Sequence, residues 1–244
     1  RLIHVYQQTY PDATPEIEKI TEDIELDYLE EDFPKILKSM HGGADRIRSI
    51  ILSLRNFSRL DESEIKKVDI HEGLESSLLI LQHRLENKGE NPKQPPGGIE
   101  VIKDYEKLPL VQCYAGQLNQ VFMNILSNAI DALEMGYEAS QTADRHAISP
   151  HLPRPAIQIR TRVVDNSRVA ISIADNGQGM TEAVRAKLFD PFFTTKPVGK
   201  GTGLGLSVSY SIVEKHGGQL RCISEPGKGS ELIVEIPLLE KFKE

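Results

Sequence analysis

Apolar residues return every three or four positions from Phe33, at Phe33, Leu37, Met40, Ala44, Ile47, Ile51 and Leu54. Spacings that alternate four and three make a heptad seam, with Glu, Lys and Arg filling most of the positions between. Gly42 and Gly43 interrupt the seam at ~1 kcal/mol each in a helix interior. The seam stays in phase across them, which predicts one helix with a weak point. Upstream, residues 1–10 look helical and end at Pro11, so two antiparallel helices joined around Pro11 and Pro15 are expected. A single pair does not cover so long a seam. A dimer building a four-helix bundle does; an amphipathic helix packed on its own domain is the other reading.

The pattern changes after residues 61–67, a polar junction with no apolar face. Asp69 and Glu72 have capping-box spacing, which predicts a helix to about Leu85. Pro and Gly mark 86–98 as a loop. Residues 99–106 alternate like a strand, and 108–114 read as a second short one. Helical spacing returns at Leu118, Val121, Phe122, Ile125, Ala129, Ile130 and Leu133. Residues 136–155 read as a long exposed loop. Two hairpins are expected, 156–164 with 168–175, and 221–226 with 230–237. This order predicts an α+β fold, a two-layer α/β sandwich with one sheet and its helices on one face. The expected domains are 1–62, helical, and 63–244, the sandwich.

Composition narrows the partners. The chain has 244 residues and a net charge of −7, which argues against a nucleic-acid partner, since that needs a basic surface. Cys113 and Cys222 lie far apart and outside any CxxC pair, so they read as two buried thiols in a reducing compartment. No apolar run approaches the ~20 residues that span a bilayer, and no signal peptide is visible. A cytoplasmic location without membrane contact is expected. The first residue is Arg1 rather than Met, so a longer parent is expected, with any membrane attachment through its other segments.

Three stretches carry candidate chemistry. Asn124, Asn128 and Asp131 share one face of a helix whose opposite face carries Val121, Phe122, Ile125 and Leu133. Such a row of oxygens can hold a magnesium ion that already carries phosphate, or can simply be a solvated face. Asp175 leaves a strand just before Gly177 and Gly179. A carboxylate there can accept from an exocyclic amine, while bare backbone admits a flat ligand; Asp-Asn-Gly is equally good turn chemistry. Gly199, Gly201, Gly203 and Gly205 precede a helix through Leu204, Val208 and Ile212 that stops at Gly217. Free N–H groups at such a helix start attract phosphate, and Lys196 and Lys200 flank them. Neither a P-loop nor a Rossmann fingerprint is present.

Taken in order, these stretches resemble the histidine kinase catalytic domain, a branch of the ATPase superfamily that includes gyrase and the heat-shock chaperone of the same fold. The N box matches Asn124-Ile125-Leu126-Ser127-Asn128-Ala129. The first glycine box matches Asp175-Asn176-Gly177-Gln178-Gly179-Met180, and the F box Phe189-Asp190-Pro191-Phe192-Phe193. The second glycine box matches Gly201-Thr202-Gly203-Leu204-Gly205-Leu206, and the last glycine turn runs into Ser230. The resemblance covers roughly 68–238. It implies ATP and Mg²⁺ as ligands. Asn124 would hold Mg²⁺ bridging the ATP phosphates, Asn128 would contact phosphate or the metal shell, Asp131 would belong to the nucleotide site beside them, and Asp175 would take the adenine amine. Gly177, Gly179, Met180, Gly201, Thr202 and Ser230 would line the nucleotide, and the backbone of Gly203, Leu204, Gly205 and Leu206 would cradle the β- and γ-phosphates. Residues 181–200 would be a lid whose stretch around Lys196 and Gly199 orders over bound ATP. Asp131 and Ala132 replace the Lys and Tyr of many relatives, as in the branch resembling nitrogen-regulatory kinases. The Arg that many relatives place near the γ-phosphate is missing, and Lys196 is the candidate replacement, catalytic together with Asn124.

The resemblance extends to 1–62 as part of a dimerisation and phosphoacceptor module. It implies a homodimer, a response-regulator receiver domain as partner, and transfer of the γ-phosphoryl to a histidine and then to an aspartate. The family's acceptor motif, H-[ED]-x-x-N-P, is missing. Only His71 precedes an acid, and Glu75 and Ser76 stand where Asn and Pro belong. The acceptor is expected upstream of Arg1, so this chain is expected to bind ATP without phosphorylating itself. Two rivals share the fold. An ATP-hydrolysing clamp needs a Glu on the helix before Asn124, where Gln120 stands and Glu134 lies beyond. A protein serine kinase lacks the heptad helices.

Overall fold

The computed structural model describes residues 14–23, 25, 28, 32–37, 40–41, 65–87, 95, 97–142, 154–165, 167–196 and 201–238. The chain divides into two compact units, Arg1–Ser49 and Ile50–Glu244. The expected junction at 62/63, the helix expected at 1–10 and the seam positions from Ala44 to Leu54 lie outside the described residues.

In the first unit, α1 spans Pro15–Asp23. Pro15 suits a first helical position, where its missing N–H is no loss, and Ile17 N–H closes the turn on Thr14 O at 2.9 Å. The backbone is helical again at 32–37 and 40–41. The seam residues Phe33, Leu37 and Met40 are exposed there, with Ile36 beside them.

The second unit is built on a five-stranded sheet of order β2-β4-β5-β7-β6. Its strands are β2 (Glu100–Tyr105), β4 (Ala156–Val164), β5 (Arg168–Asp175), β6 (Gln219–Ser224) and β7 (Ser230–Pro237). Both predicted hairpins form, β4 with β5 and β6 with β7, and β5 pairs antiparallel with β7. β2 joins β4 in parallel. Burial alternates along β5, as period-2 patterning requires. Ile157, Ile159, Ile171, Ile173, Val234 and Ile236 point into the core. The other face carries cross-strand ion pairs, Arg160 with Glu231 at 2.9 Å and Arg168 with Glu235 at 2.8 Å.

Helices cover the inner face, giving the predicted sandwich. Asp69 caps α2 (Ile70–Leu85), its carboxylate accepting from His71 N–H at 2.9 Å. α3 (Ala115–Thr142) buries Val121, Phe122, Ile125, Leu126, Ile130 and Leu133. Each such side chain is worth about 1.5–3 kcal/mol in apolar burial. α4 (Glu182–Arg185) is one turn capped by Thr181, and α5 spans Gly205–Lys215.

The structure corrects three expectations. α3 runs to Thr142, so 136–142 is helix rather than loop. A Cβ at Gly136 would meet only open space, so this glycine marks no close packing, and no proline falls within 136–142 to break the helix. Lys66 and Lys67, read as the end of the junction, form with Val68 strand β1 (Lys66–Val68), which pairs with β3 (Val111–Cys113) in a separate two-stranded sheet. That pairing is long-range, and charged Lys66 and Lys67 hid it. Cys113 is buried, but Cys222 is only half-buried on edge strand β6.

Candidate functional site

Four chain segments meet where α3, α5 and the ends of β5 and β7 converge. Helical spacing does bring Asn124, Asn128 and Asp131 to one half-buried face of α3. They then divide their work. Asn124 Nδ2 donates to Gly205 O at 3.0 Å and to Ser209 Oγ at 3.1 Å, tying α3 to the start of α5. Asn128 Oδ1 accepts from Lys196 Nζ at 3.1 Å. Asp131 pairs with Lys196 through Oδ2 and with Arg84 through Oδ1, the latter at 2.6 Å. Arg84 also reaches Glu134 at 2.5 Å and Ser127 Oγ at 3.2 Å. Burial opposes its charge, yet the bonds to Glu134 and Asp131 outweigh burial and hold the guanidinium above its ordinary value.

Asp175 ends β5 as a buried carboxylate, 9% exposed. Burial raises its pKa above the ordinary carboxylate value, against the backbone N–H groups of Gly177 and Ser230 that favour the charge. The Gly177 bond is 2.9 Å long. Gly179 sits at φ +67°, and a Cβ there would lie 2.0 Å from Glu225 O. Only glycine fits such a backbone contact. The next residue, Met180, donates its N–H to buried Ser224 Oγ at 2.9 Å. Ser224 also lies 3.0 Å from Ser230 Oγ, so the predicted Ser230 side chain is engaged inside the fold. Asn176 bridges to the start of β4, accepting from Ala156 N–H at 2.8 Å and donating to Arg154 O at 2.7 Å.

The second glycine box leads into α5 as expected. Leu204 is its N-cap and supplies no side-chain cap, while Thr202 Oγ1 accepts from Leu204 N–H at 3.4 Å. The first-turn N–H groups of α5 thus lack a side-chain cap, the arrangement that suits an anion. Gly203, at φ +65°, packs on the Phe192 backbone: a Cβ would meet Phe192 C at 2.4 Å. Phe192 itself takes φ +66°, so the F box and second glycine box are locked together. Gly201 lies against Thr194 and Lys196, and Leu206 packs on the core. Residues 197–200, with Gly199, Lys200 and the lid ordering expected there, are outside the described residues.

Two positioning residues escaped the sequence reading, Arg84 and Ser224. Arg84 looks like any cation in a last helical turn, and no sequence signal joins 84 to 131. Ser224 is an unremarked strand residue until the last hairpin closes over it.

A mixed sheet with one helical layer, a carboxylate buried at a strand end, and an asparagine helix bonded to a glycine-opened helix define a nucleotide-binding domain of the ATPase type. The chain belongs to the histidine kinase-, DNA gyrase B-, and HSP90-like ATPase family, whose model matches residues 114–240. The curated proteins it is similar to include sensor kinases. It is 37% identical over 146 residues, 60% of the chain, to Sporulation kinase E of Bacillus subtilis. Identity is 34% over 86% of the chain to Sensor kinase CckA of Brucella abortus. Identity is 31% over 81% of the chain to Sensory histidine kinase/phosphatase NtrB of Azospirillum brasilense. The matches span 17%, 21% and 46% of those proteins. In fold the chain is similar to the catalytic domain of histidine kinase ThkA, with a TM-score of 0.53, 24% identity, and 72% of this chain and 98% of that one covered. It is likewise similar to full-length ShkA in complex with AMPPNP, at a TM-score of 0.56 and 24% identity, over 86% of this chain and 40% of that one.

Proposed function

We propose that this chain is the ATP-binding and dimerisation part of a sensor histidine kinase, passing the γ-phosphoryl of Mg·ATP to a histidine and on to a response-regulator aspartate. The observation that carries the reading is the Asn124 amide bonded to Gly205 O and Ser209 Oγ. It locks the helix of metal-binding type to the helix of phosphate-binding type.

In this reading Asp175 accepts from the adenine amine, with Gly177, Gly179 and Met180 along the base. The α5 N–H groups, opened by Gly201 to Leu206, take the phosphates. Asn124 fits a cation because its amide nitrogen is engaged by α5, which leaves Oδ1 as the ligand atom. Bound Mg²⁺ neutralises phosphate charge, and the protein's share is positioning and electrostatics. Lys196 meets the γ-phosphate. Glu134 is ion-paired to Arg84, which disfavours the water-activating base a hydrolytic clamp needs.

Residues 1–62 form the dimer bundle, supported by the exposed Phe33, Ile36, Leu37 and Met40. The domains divide at 62/63 and the chain works in the cytoplasm. No described helix is long and apolar enough to cross a membrane. None of the seven histidines carries the acceptor motif, so the phosphoryl group goes to a histidine outside this chain. Incubation with γ-labelled ATP tests this. The chain alone is expected to stay unlabelled, and adding a kinase segment with an H-[ED]-x-x-N-P helix is expected to label that segment. An acid-labile label on the chain itself would refute the assignment.

A further inference from the structure

Two cations share one carboxylate at this site. Asp131 Oδ1 takes Arg84 and Oδ2 takes Lys196. With Glu134, also on Arg84, the four side chains sum to zero charge. The two cations differ in how they are held. Arg84 is a planar fork fixed at Ser127, Asp131 and Glu134. Lys196 is a compact charge on a flexible stem, whose aliphatic part lies along Gly201 and whose ammonium also meets Asn128. If one cation leaves, it is the lysine. Once it leaves, the remaining charge is negative, so a departing lysine needs a stronger anion to go to.

We propose that Asp131 is a placeholder for the terminal phosphate. It holds Lys196 beside Asn128 until a triphosphate takes the lysine over, and Arg84 is the positioning residue that fixes the placeholder from α2. This deepens the ATP reading above and rests on it. A diphosphate has no γ-phosphate to claim Lys196, so it leaves the Asp131 pair intact. The pair therefore weakens triphosphate binding specifically, and its exchange signals which nucleotide is bound.

The test compares a non-hydrolysable Mg·ATP analogue with Mg·ADP by calorimetry, using the 244-residue chain, alongside the acylation rate of Lys196 read by mass spectrometry. In Asp131→Asn the triphosphate is expected to bind about fivefold tighter, the equilibrium equivalent of one partly exposed ion pair. ADP affinity is expected to change by less than that factor, and a thermal melt of the variant shows that it is folded. Arg84→Met should not reproduce the gain, because it leaves the whole Asp131 carboxylate and the Glu134 charge to Lys196. Lys196 should acylate faster in Asp131→Asn than in the parent without nucleotide. The triphosphate should change its rate in the parent, and ADP should not. Triphosphate binding that is unchanged or weaker in Asp131→Asn, or a shift shared equally by both nucleotides, overturns the placeholder. A parent chain that binds neither nucleotide refutes the ATP site instead.

Discussion

Replacing His216 by alanine tests how the phosphate-type helix is anchored. His216 follows α5 and is 3% exposed. Its Nδ1 lies 2.7 Å from Ile212 O, and its Nε2 lies 3.1 Å from Tyr114 N, at the entry to α3. A carbonyl only accepts and an amide N–H only donates. The ring must therefore carry its proton on Nδ1 and a lone pair on Nε2, and must be neutral. Tyr114 packs edge-on against the ring at 5.5 Å, with Lys215 Nζ 4.5 Å from the Tyr114 centroid. Burial, and secondarily the Lys215 charge, lower the His216 pKa below 6.5 against the Ile212 bond that raises it. Truncation removes both bonds, strips a donor of its partner and leaves a void, which together cost about 3 kcal/mol. For a domain of this size that is a Tm drop of about 6–12 °C. The pH dependence is the sharper part. The folded ring holds its proton less tightly than the unfolded one, so unfolding takes up a proton below pH 6.5 and stability falls with pH there. The loss is at most about 1.4 kcal/mol per pH unit. His216→Ala lacks it, so the Tm gap to the parent should narrow between pH 7.5 and pH 5.5 (about one unit either side of the ordinary histidine pKa). Thermal unfolding by circular dichroism reads this directly. A gap that stays constant or widens on acidification would refute the neutral-anchor reasoning.

Two further outcomes follow from the site. Asp175→Asn should abolish ATP binding in calorimetry yet raise Tm at neutral pH. The buried carboxylate's pKa is raised on folding, so its charge burdens the fold above the ordinary carboxylate range. The Tm advantage should therefore shrink as pH falls toward that range. Gly179→Ala should lose about 2–4 kcal/mol in chemical denaturation, since φ +67° and the Glu225 carbonyl both exclude a Cβ; a neutral result would show that the turn relaxes.

Much of the site was legible because its chemistry is local. Asn124, Asn128 and Asp131 share a helix face by spacing alone, Asp175 ends an alternating strand, and Gly201 to Gly205 open a helix. Elements with strong periodicity were legible for the same reason: α2 from its Asp69 cap, and the two hairpins from their turns. The extra helix at 136–142 and strand β1 were not, since neither carries an amphipathic pattern of its own. Arg84 and Ser224 were invisible because their partners lie 47 and six residues away, across a helix pair and a hairpin.

The sequence by itself determined the order of elements, which faces turn inward and which residues carry ligand-type chemistry, because periodicity, capping and turn preference act over a few residues. Only the tertiary structure decided what those residues do to one another. It turned Asn124 onto α5, split Asp131 between Arg84 and Lys196, seated His216 as a neutral anchor, and buried Asp175 at some cost to its charge. The physical reason is that hydrogen bonds, ion pairs and desolvation depend on distance in space. The chain brings α2, α3, α5 and the ends of β5 and β7 within reach of each other only once the apolar faces of helices and sheet have closed over one core.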